Sequence, residues 1–388
     1  MKNTFRDYSL LKETKKSIPL FYPHIPKNAK KAVSKVLSTR WLGQGPLVDK
    51  FENVFSNKFC SKLPTVAVGS GTDALHLSYI LSGIKKNDEI ICPVFTCTAT
   101  NIPLLYIDAK IKFADIDPIT FNISIEHVEK LITKKTKAII PLHYAGIPCE
   151  QKEVYELAKK HNLRIMEDCC HAIGTKIKGK KIGSYGDIAV FSFDPVKTIT
   201  SIDGGCIIVN DKKEKKIAEN LRLLGMNKDT IERYKNKRAW IYDVVSEGYR
   251  YHMTNILASI GISQLNRLDE FITSRQKICK LYNESFREIP DLVTPKSDFN
   301  DISPFIYTPR ILNQRREKFI DHMNKLKIDI GIHWNPIHRF SYFSKSKKDE
   351  LSITNKIADE ICTIPLHSNM RSEHVNRVIN GVKSFFKS

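Results

Sequence analysis

Between residues 64 and 210, short apolar runs alternate with helical patterns, and this alternation restricts the possible folds more than any other feature of the chain. Thr65-Val68, Glu89-Pro93, Ile111-Asp115, Ala138-His143, Arg164-Asp168, Ile188-Phe193 and Cys206-Asn210 read as buried strands. Between them, Asp73-Leu81, Thr98-Ile107, Ile125-Ile132 and Gln151-Lys159 read as helices. Strand and helix in alternation predict an α/β fold, with a mostly parallel central sheet flanked by helices. In such sheets functional residues gather where strands end and loops begin. Beyond the Gly248-Thr254 loop the pattern changes: Thr254-Glu288 reads as helical, Phe305-Leu312 as a strand, and Arg315-Leu326 and Glu373-Phe386 as helices. The expected organisation is a large domain over 1–250, including an N-terminal segment, and a smaller α+β domain over 251–388.

A chain of 388 residues is long enough for one large core and a smaller second one. No stretch approaches the roughly 18 consecutive apolar residues of a membrane span, so no membrane partner is expected. Met1 to Ser17 is polar and charged rather than basic and then apolar, which argues against a secretory signal. The nine cysteines contain no CxxC pair, as expected of reduced thiols in a cytoplasmic protein; no metal site is expected. The formal charge is +20, but the lysines are spread along the chain. That distribution reads as a solvated surface, or as steering for a small polyanionic substrate, rather than as a nucleic-acid reader.

Three short segments carry candidate chemistry. Gly69-Ser70-Gly71-Thr72 lies between a strand and a helix, where free N–H groups and hydroxyls make a phosphate seat; alone it reads first as a tight turn. Met166-Glu167-Asp168-Cys169-Cys170-His171 puts an acid at a strand end, able either to cap a following helix or to hold a protonated pyridine nitrogen. Phe191-Ser192-Phe193-Asp194-Pro195-Val196-Lys197 closes another strand with a lysine. Alone, Lys197 would be a surface charge; beside a cationic ring in a partly dry site its free amine could attack an aldehyde. Together the three supply what pyridoxal 5'-phosphate (PLP) requires: an anchored phosphate, a charged pyridinium and a covalently bonding lysine.

At this point the chain resembles the DegT/DnrJ/EryC1/StrS sugar aminotransferases, a branch of the fold-type I PLP-dependent enzymes. The resemblance covers nearly the whole chain. It is carried by Ile18-Pro19-Leu20, Ser38-Thr39-Arg40-Trp41-Leu42-Gly43-Gln44-Gly45-Pro46, Gly69 to Leu77, Asp115-Ile116-Asp117-Pro118, Thr136 to His143, Gly248 to Asn255, Leu268-Asp269 and Cys362 to His367. It implies that Gly71, Thr72 and the backbone of Asp73, with Ser192, hold the cofactor phosphate. It implies that Asp168 pairs with the pyridine nitrogen, that Lys197 bonds the cofactor and shuttles the proton, and that His171 lies near the ring oxygen. A homodimer with shared sites is also implied, the Gly248-Asn255 loop reaching the partner's cofactor. The expected reaction moves an amino group from L-glutamate, leaving 2-oxoglutarate, to a nucleotide-linked keto sugar.

Three positions depart from the family pattern. Cys97 stands where an aromatic ring usually stacks on the cofactor, Asp194 where a His is common, and His252 where Arg or Asn is usual. The Gly-Tyr-x-Tyr-x-Met-Thr-Asn pattern at 248–255 resembles members acting at C4 of a 4-keto-6-deoxyhexose, with 3-keto sugars as the alternative. His333 and Trp334 are candidates for the sugar site, Trp334 being equally a core residue. Lys197 argues against the related dehydratases, which carry His there. A DNA-binding regulator built on an aminotransferase-like body is the remaining rival; only about sixty residues precede the first core strand, and the family's own N-terminal segment accounts for them.

Overall fold

The computed structural model describes residues 17–227, 241–343 and 351–387; Met1–Lys16, where a secretory signal was sought, lies outside them. Seven strands form the central sheet: β1 (Thr65–Val68), β2 (Glu89–Pro93), β3 (Lys110–Ala114), β4 (Thr136–Ile139), β5 (Arg164–Asp168), β6 (Ile188–Ser192) and β7 (Gly205–Ile208). Their order is β1-β7-β6-β5-β4-β2-β3. All run parallel except β7, which is antiparallel to both neighbours, β1 and β6. The expected mostly parallel sheet is therefore present.

Its strands are buried on both faces, which explains why they read as unbroken apolar runs rather than alternating ones. The two-residue period sends Val68, Val190 and Ile207 to one face, under α3 (Gly71–Leu81) and α7 (Lys212–Leu221). Ala67, Ala189, Phe191, Cys206 and Ile208 face the other way, against α2 (Pro46–Phe59). There Phe51, Phe55 and Phe59, one helical turn apart, pack onto Phe191 and Phe193. Two more helices, α5 (Ile125–Leu131) and α6 (Gln151–His161), cover Ile91, Ile139 and Ile165.

The helical stretch expected over Thr254-Glu288 divides into α8 (Asn255–Leu265) and α9 (Leu268–Phe286). No glycine or proline marks the break; Leu265 and Leu268 are both buried in the cluster that holds Phe51 and Phe191, and the chain turns between them. Helix α9 joins two of the hydrophobic clusters: Phe271 packs into the one that holds α2 and Phe191, while Ile278, Tyr282 and Phe286 join Ile18, α10 (Arg316–Lys325) and α12 (Ser372–Lys387) in another. Of the strand expected over Phe305-Leu312, only Arg310–Ile311 pairs, with Leu292–Val293. Pro309 lacks the N–H that a continuous ladder needs, and Tyr307 and Arg310 instead make single bridges to Ile364 and Ile361. Helices α1 (Lys27–Leu37), α4 (Thr98–Tyr106) and α11 (Ser352–Glu360), a short hairpin pairing Lys176–Ile177 with Lys180–Lys181, and 3-10 turns at Tyr144–Gly146 and Ile337–Arg339 are also present.

Candidate active site

The antiparallel strand β7 builds the first part of the site. Its Gly205 lies opposite both Val68 and Ser192, and a Cβ there would collide with the Ser70 carbonyl and the Gly71 nitrogen. Gly71, in turn, has room for no side chain: its Cβ would stand 2.6 Å from Ser192 Cβ. The first turn of α3 is thus pressed against the Ser192 hydroxyl. Ser70 caps the helix by accepting the Asp73 N–H at 3.0 Å. That cap occupies the Asp73 N–H which the sequence assigned to a phosphate, so the groups that remain at the tip are those of Gly71 and Thr72, whose N–H groups have no intrahelical acceptor. Burial pushes the Asp73 carboxyl up to about 6, with the Asp203 charge adding to it and the Ser70 hydrogen bonds opposing.

Next to this tip runs the Gly248-Asn255 loop of the same chain. Val68 bridges to His252, the Gly69 N–H donates to the Tyr251 carbonyl at 2.6 Å, and the Tyr251 N–H donates to the Arg222 carbonyl at 3.0 Å. Burial, then Arg250 and Arg222, lower the His252 imidazole below its ordinary value, and its Nδ1 is buried without a partner. At the end of the loop Asn255 ties two motifs that lie far apart in sequence. Its Oδ1 accepts the Leu47 N–H at 3.0 Å and its Nδ2 donates to the Trp41 carbonyl at 2.9 Å.

Asp168 ends β5 and is 2% exposed. No helix follows it. Its Oδ1 accepts the Cys170 N–H at 3.1 Å, and its Oδ2 accepts the Thr100 hydroxyl at 2.8 Å. Thr100 lies one turn into α4 (Thr98–Tyr106), which Cys97 opens as its N-cap. The Thr100 hydroxyl also lies 2.9 Å from that of Thr96, and its carbonyl accepts from Tyr79 at 2.7 Å. The neighbouring Glu167 points to the opposite face, where its carboxylate accepts from Gln151 and Tyr155 and faces His143 and Cys169.

Lys197 sits in the turn after β6, its N–H donating to the Asp194 carbonyl at 3.0 Å. Its Nζ lies 4.5 Å from the centre of the Phe305 ring. His171 stacks on that ring at 4.4 Å and lies 6.1 Å from Trp334 at a near-parallel 18°. His333 meets Trp334 edge-on, and its Nδ1 is 2.9 Å from the Thr363 hydroxyl. Trp334 itself is half-buried against a core cluster. Burial, then the Lys197 charge, holds the His171 imidazole well below its ordinary range and lowers His333 to about 4. The amine is therefore flanked by two neutral rings rather than by competing cations.

The geometry brings together Gly71, Thr72, Asp73 and Ser192; Asp168 with Cys170; and Lys197 with His171, His333 and Trp334. Thr100 and Phe305 were not read from the sequence. Thr100 sits four residues past Thr96 in a Thr-rich run (Thr96-Cys97-Thr98-Ala99-Thr100) that gives no hint of a carboxylate partner. Phe305 is held from the C-terminal region: its N–H donates to the Ala145 carbonyl at 3.1 Å and its carbonyl accepts from Arg275 at 3.0 Å. Such a site can hold a ligand with an anionic group, a protonated ring nitrogen and a carbonyl within reach of an amine.

The profile described as the DegT/DnrJ/EryC1/StrS aminotransferase family matches residues 23–383. An uncharacterised protein of Methanocaldococcus jannaschii is 36% identical over 94% of this chain and 97% of its own. GDP-perosamine synthase of Escherichia coli O157:H7 is 32% identical over 96% of this chain and 99% of its own. Among solved structures, the PMP form of a putative sugar aminotransferase from Streptococcus pneumoniae superposes with a TM-score of 0.90 at 27% identity, over 95% and 99% of the two chains. The same Streptococcus protein is also known in its PLP form, at a TM-score of 0.88 and 26% identity, over 96% and 99% of the chains.

Proposed function

Since the chain belongs to the DegT/DnrJ/EryC1/StrS aminotransferase family and is a PLP-dependent sugar aminotransferase, we propose that it transfers the amino group of L-glutamate to C4 of a nucleotide-linked 4-keto-6-deoxyhexose. The observation that carries this reading is the convergence of three groups at the ends of neighbouring strands: the Lys197 amine, the Asp168 carboxylate, and the α3 tip with Ser192. The residues fit the cofactor. Gly205 lets the first turn of α3 lie against β7 and Gly71 lets it lie against Ser192, so that the N–H groups of that turn without an intrahelical acceptor stand beside the Ser192 hydroxyl for a phosphate. Asp168 is buried and held by two donors, and His171 Nδ1 is a buried polar atom without a partner.

In this reading Gly71, Thr72 and Ser192 hold the phosphate, and Asp168 keeps the pyridine nitrogen protonated. Bound there, PLP supplies an electron sink for a carbanion next to nitrogen. The Lys197 amine takes the proton from the donor's α-carbon and later returns one to the sugar carbon, a role typically worth about 10²–10⁴-fold. Neutral His171 and His333 do not compete for the proton that Lys197 carries. His333 and Trp334 line the sugar side, and Cys97 and His252 border the cofactor.

The relatives named GDP-perosamine synthase support C4, together with the 248–255 pattern. A homodimer is supported by an exposed apolar run, Ile241, Tyr242, Val244 and Val245, just before that loop, although the loop itself packs beside the α3 tip of its own chain. The test is to incubate the protein, PLP and glutamate with a panel of nucleotide-linked 4-keto and 3-keto sugars and to follow amine gain by mass spectrometry. Amination of a 4-keto sugar is expected; selective amination of 3-keto sugars would overturn the C4 assignment.

A further inference from the structure

Seven of the nine cysteines are buried; only Cys97 and Cys170 are partly open. Both belong to the surroundings of Asp168. Cys97 caps α4, the helix whose Thr100 donates to Asp168 Oδ2, and the Thr100 N–H returns to the Cys97 carbonyl at 3.2 Å. Cys170 donates its own N–H to Asp168 Oδ1. The two residues thus stand on separate elements that meet at one carboxylate, and the Cys170 thiol, 3.9 Å from the Val190 carbonyl, is within reach of the charges of both Asp168 and Cys97. Lys197 is close enough to Cys170 for its charge to favour the thiolate, against burial and Asp168, which disfavour it.

We propose that Cys97 and Cys170 together form a modification site for soft, α,β-unsaturated electrophiles, open in the cofactor-free protein and covered when PLP is bound. The inference rests on the assignment of Asp168 as the cofactor's ring partner: a ring seated on that carboxylate comes between solvent and both sulfurs. In the reaction the thiolate sulfur bonds to one alkene carbon, the C=C π bond breaks, and the neighbouring carbon takes a proton from solvent. The thiol's own proton goes to solvent, nothing leaves, and nothing is oxidised. An adduct on either sulfur fills the ring's place and blocks cofactor entry. Burial and Asp168 keep the Cys170 thiol protonated, so its labelling is slow near neutral pH and rises about tenfold per pH unit.

The probe is N-ethylmaleimide on the full chain, with peptide mass mapping. Cofactor content is followed separately by the visible absorbance of bound PLP. In cofactor-free protein, adducts are expected at Cys97 and Cys170, with the other seven thiols reacting only after denaturation. At PLP about a hundredfold above its Kd, labelling of both should slow about a hundredfold, since only the empty fraction reacts. Protein alkylated first should no longer develop the absorbance, and Cys97→Ser and Cys170→Ala should each lose one adduct. Bound PLP with unchanged labelling, or adducts mainly on the buried thiols, would overturn the inference and leave the cofactor assignment standing. Failure of the absorbance to appear in unlabelled protein would remove both.

Discussion

The Thr100 hydroxyl donates a 2.8 Å hydrogen bond to Asp168 Oδ2, so the carboxylate ending β5 is oriented from a helix that follows β2. A hydrogen bond to a charged acceptor is worth about 1.5–3 kcal/mol, and part of that is spent in aiming the carboxylate. Thr100→Val should weaken PLP binding by about tenfold, while Thr100→Ser should stay near the parent. Cofactor titration by absorbance checks both.

Replacing Lys197 separates holding the cofactor from using it. Lys197→Ala should lower turnover by at least about 10²-fold, while Asp168, Ser192 and the α3 tip still retain PLP. Borohydride should fix the cofactor to the peptide carrying residue 197 in the parent and not in the variant, as read by mass spectrometry. Cofactor fixed to a different lysine of the parent would contradict the assignment.

The close approach at Gly71 leaves no room for a methyl group, whose carbon would lie 2.6 Å from Ser192 Cβ. Gly71→Ala should cost about 1–3 kcal/mol in denaturant unfolding and weaken PLP binding as well. Gly43 has nothing within 4 Å of its would-be Cβ, so Gly43→Ala serves as the near-neutral control.

Acid should destabilise the fold over a defined window. His367 and His333 are both lowered from 6.5 to about 4, in each case chiefly by burial. Their contribution is fully present above pH 6.5. As pH falls from 6.5 toward 4, the unfolded chain binds protons that the folded one refuses, and stability is lost. For His367, which is 3% exposed, the loss is on the order of 3 kcal/mol. Melting temperature against pH should decline through this window, and His367→Gln should flatten the decline. A parent whose melting temperature holds steady from pH 6.5 to 4 would rule this out.

Much of this arrangement is legible in the sequence, for identifiable reasons. The strands of the sheet are covered on both faces and so appear as bare apolar runs, and Lys197, Asp168 and the Gly69-Thr72 turn are local signals at strand ends. What could not be read depends on contacts between distant segments. Phe305 reaches Lys197 only because Arg275 and Ala145 hold its backbone, and Asn255 finds Trp41 and Leu47 across the fold. The Ser70 side chain accepts the Asp73 N–H, a cap that depends on the turn's geometry and is not legible in the Gly69-Thr72 motif alone. Helix α2 was legible in principle: Phe51, Phe55 and Phe59 recur at four-residue steps behind Pro46. Pro309 likewise foretold that the strand at 305–312 would be cut short.

The reversed strand β7 has a kinetic consequence. The phosphate seat needs Gly205 lodged between Ser70 and Ser192, and hence the pairing of Thr65 with Ile208, segments joined by most of the sheet's intervening chain. Contacts this distant in sequence carry a large loop-closure cost and slow assembly. On the proposed assignment, a growing polypeptide has no complete phosphate cradle until that seventh strand of the sheet has emerged and paired, so coenzyme loading follows assembly of the sheet rather than guiding it.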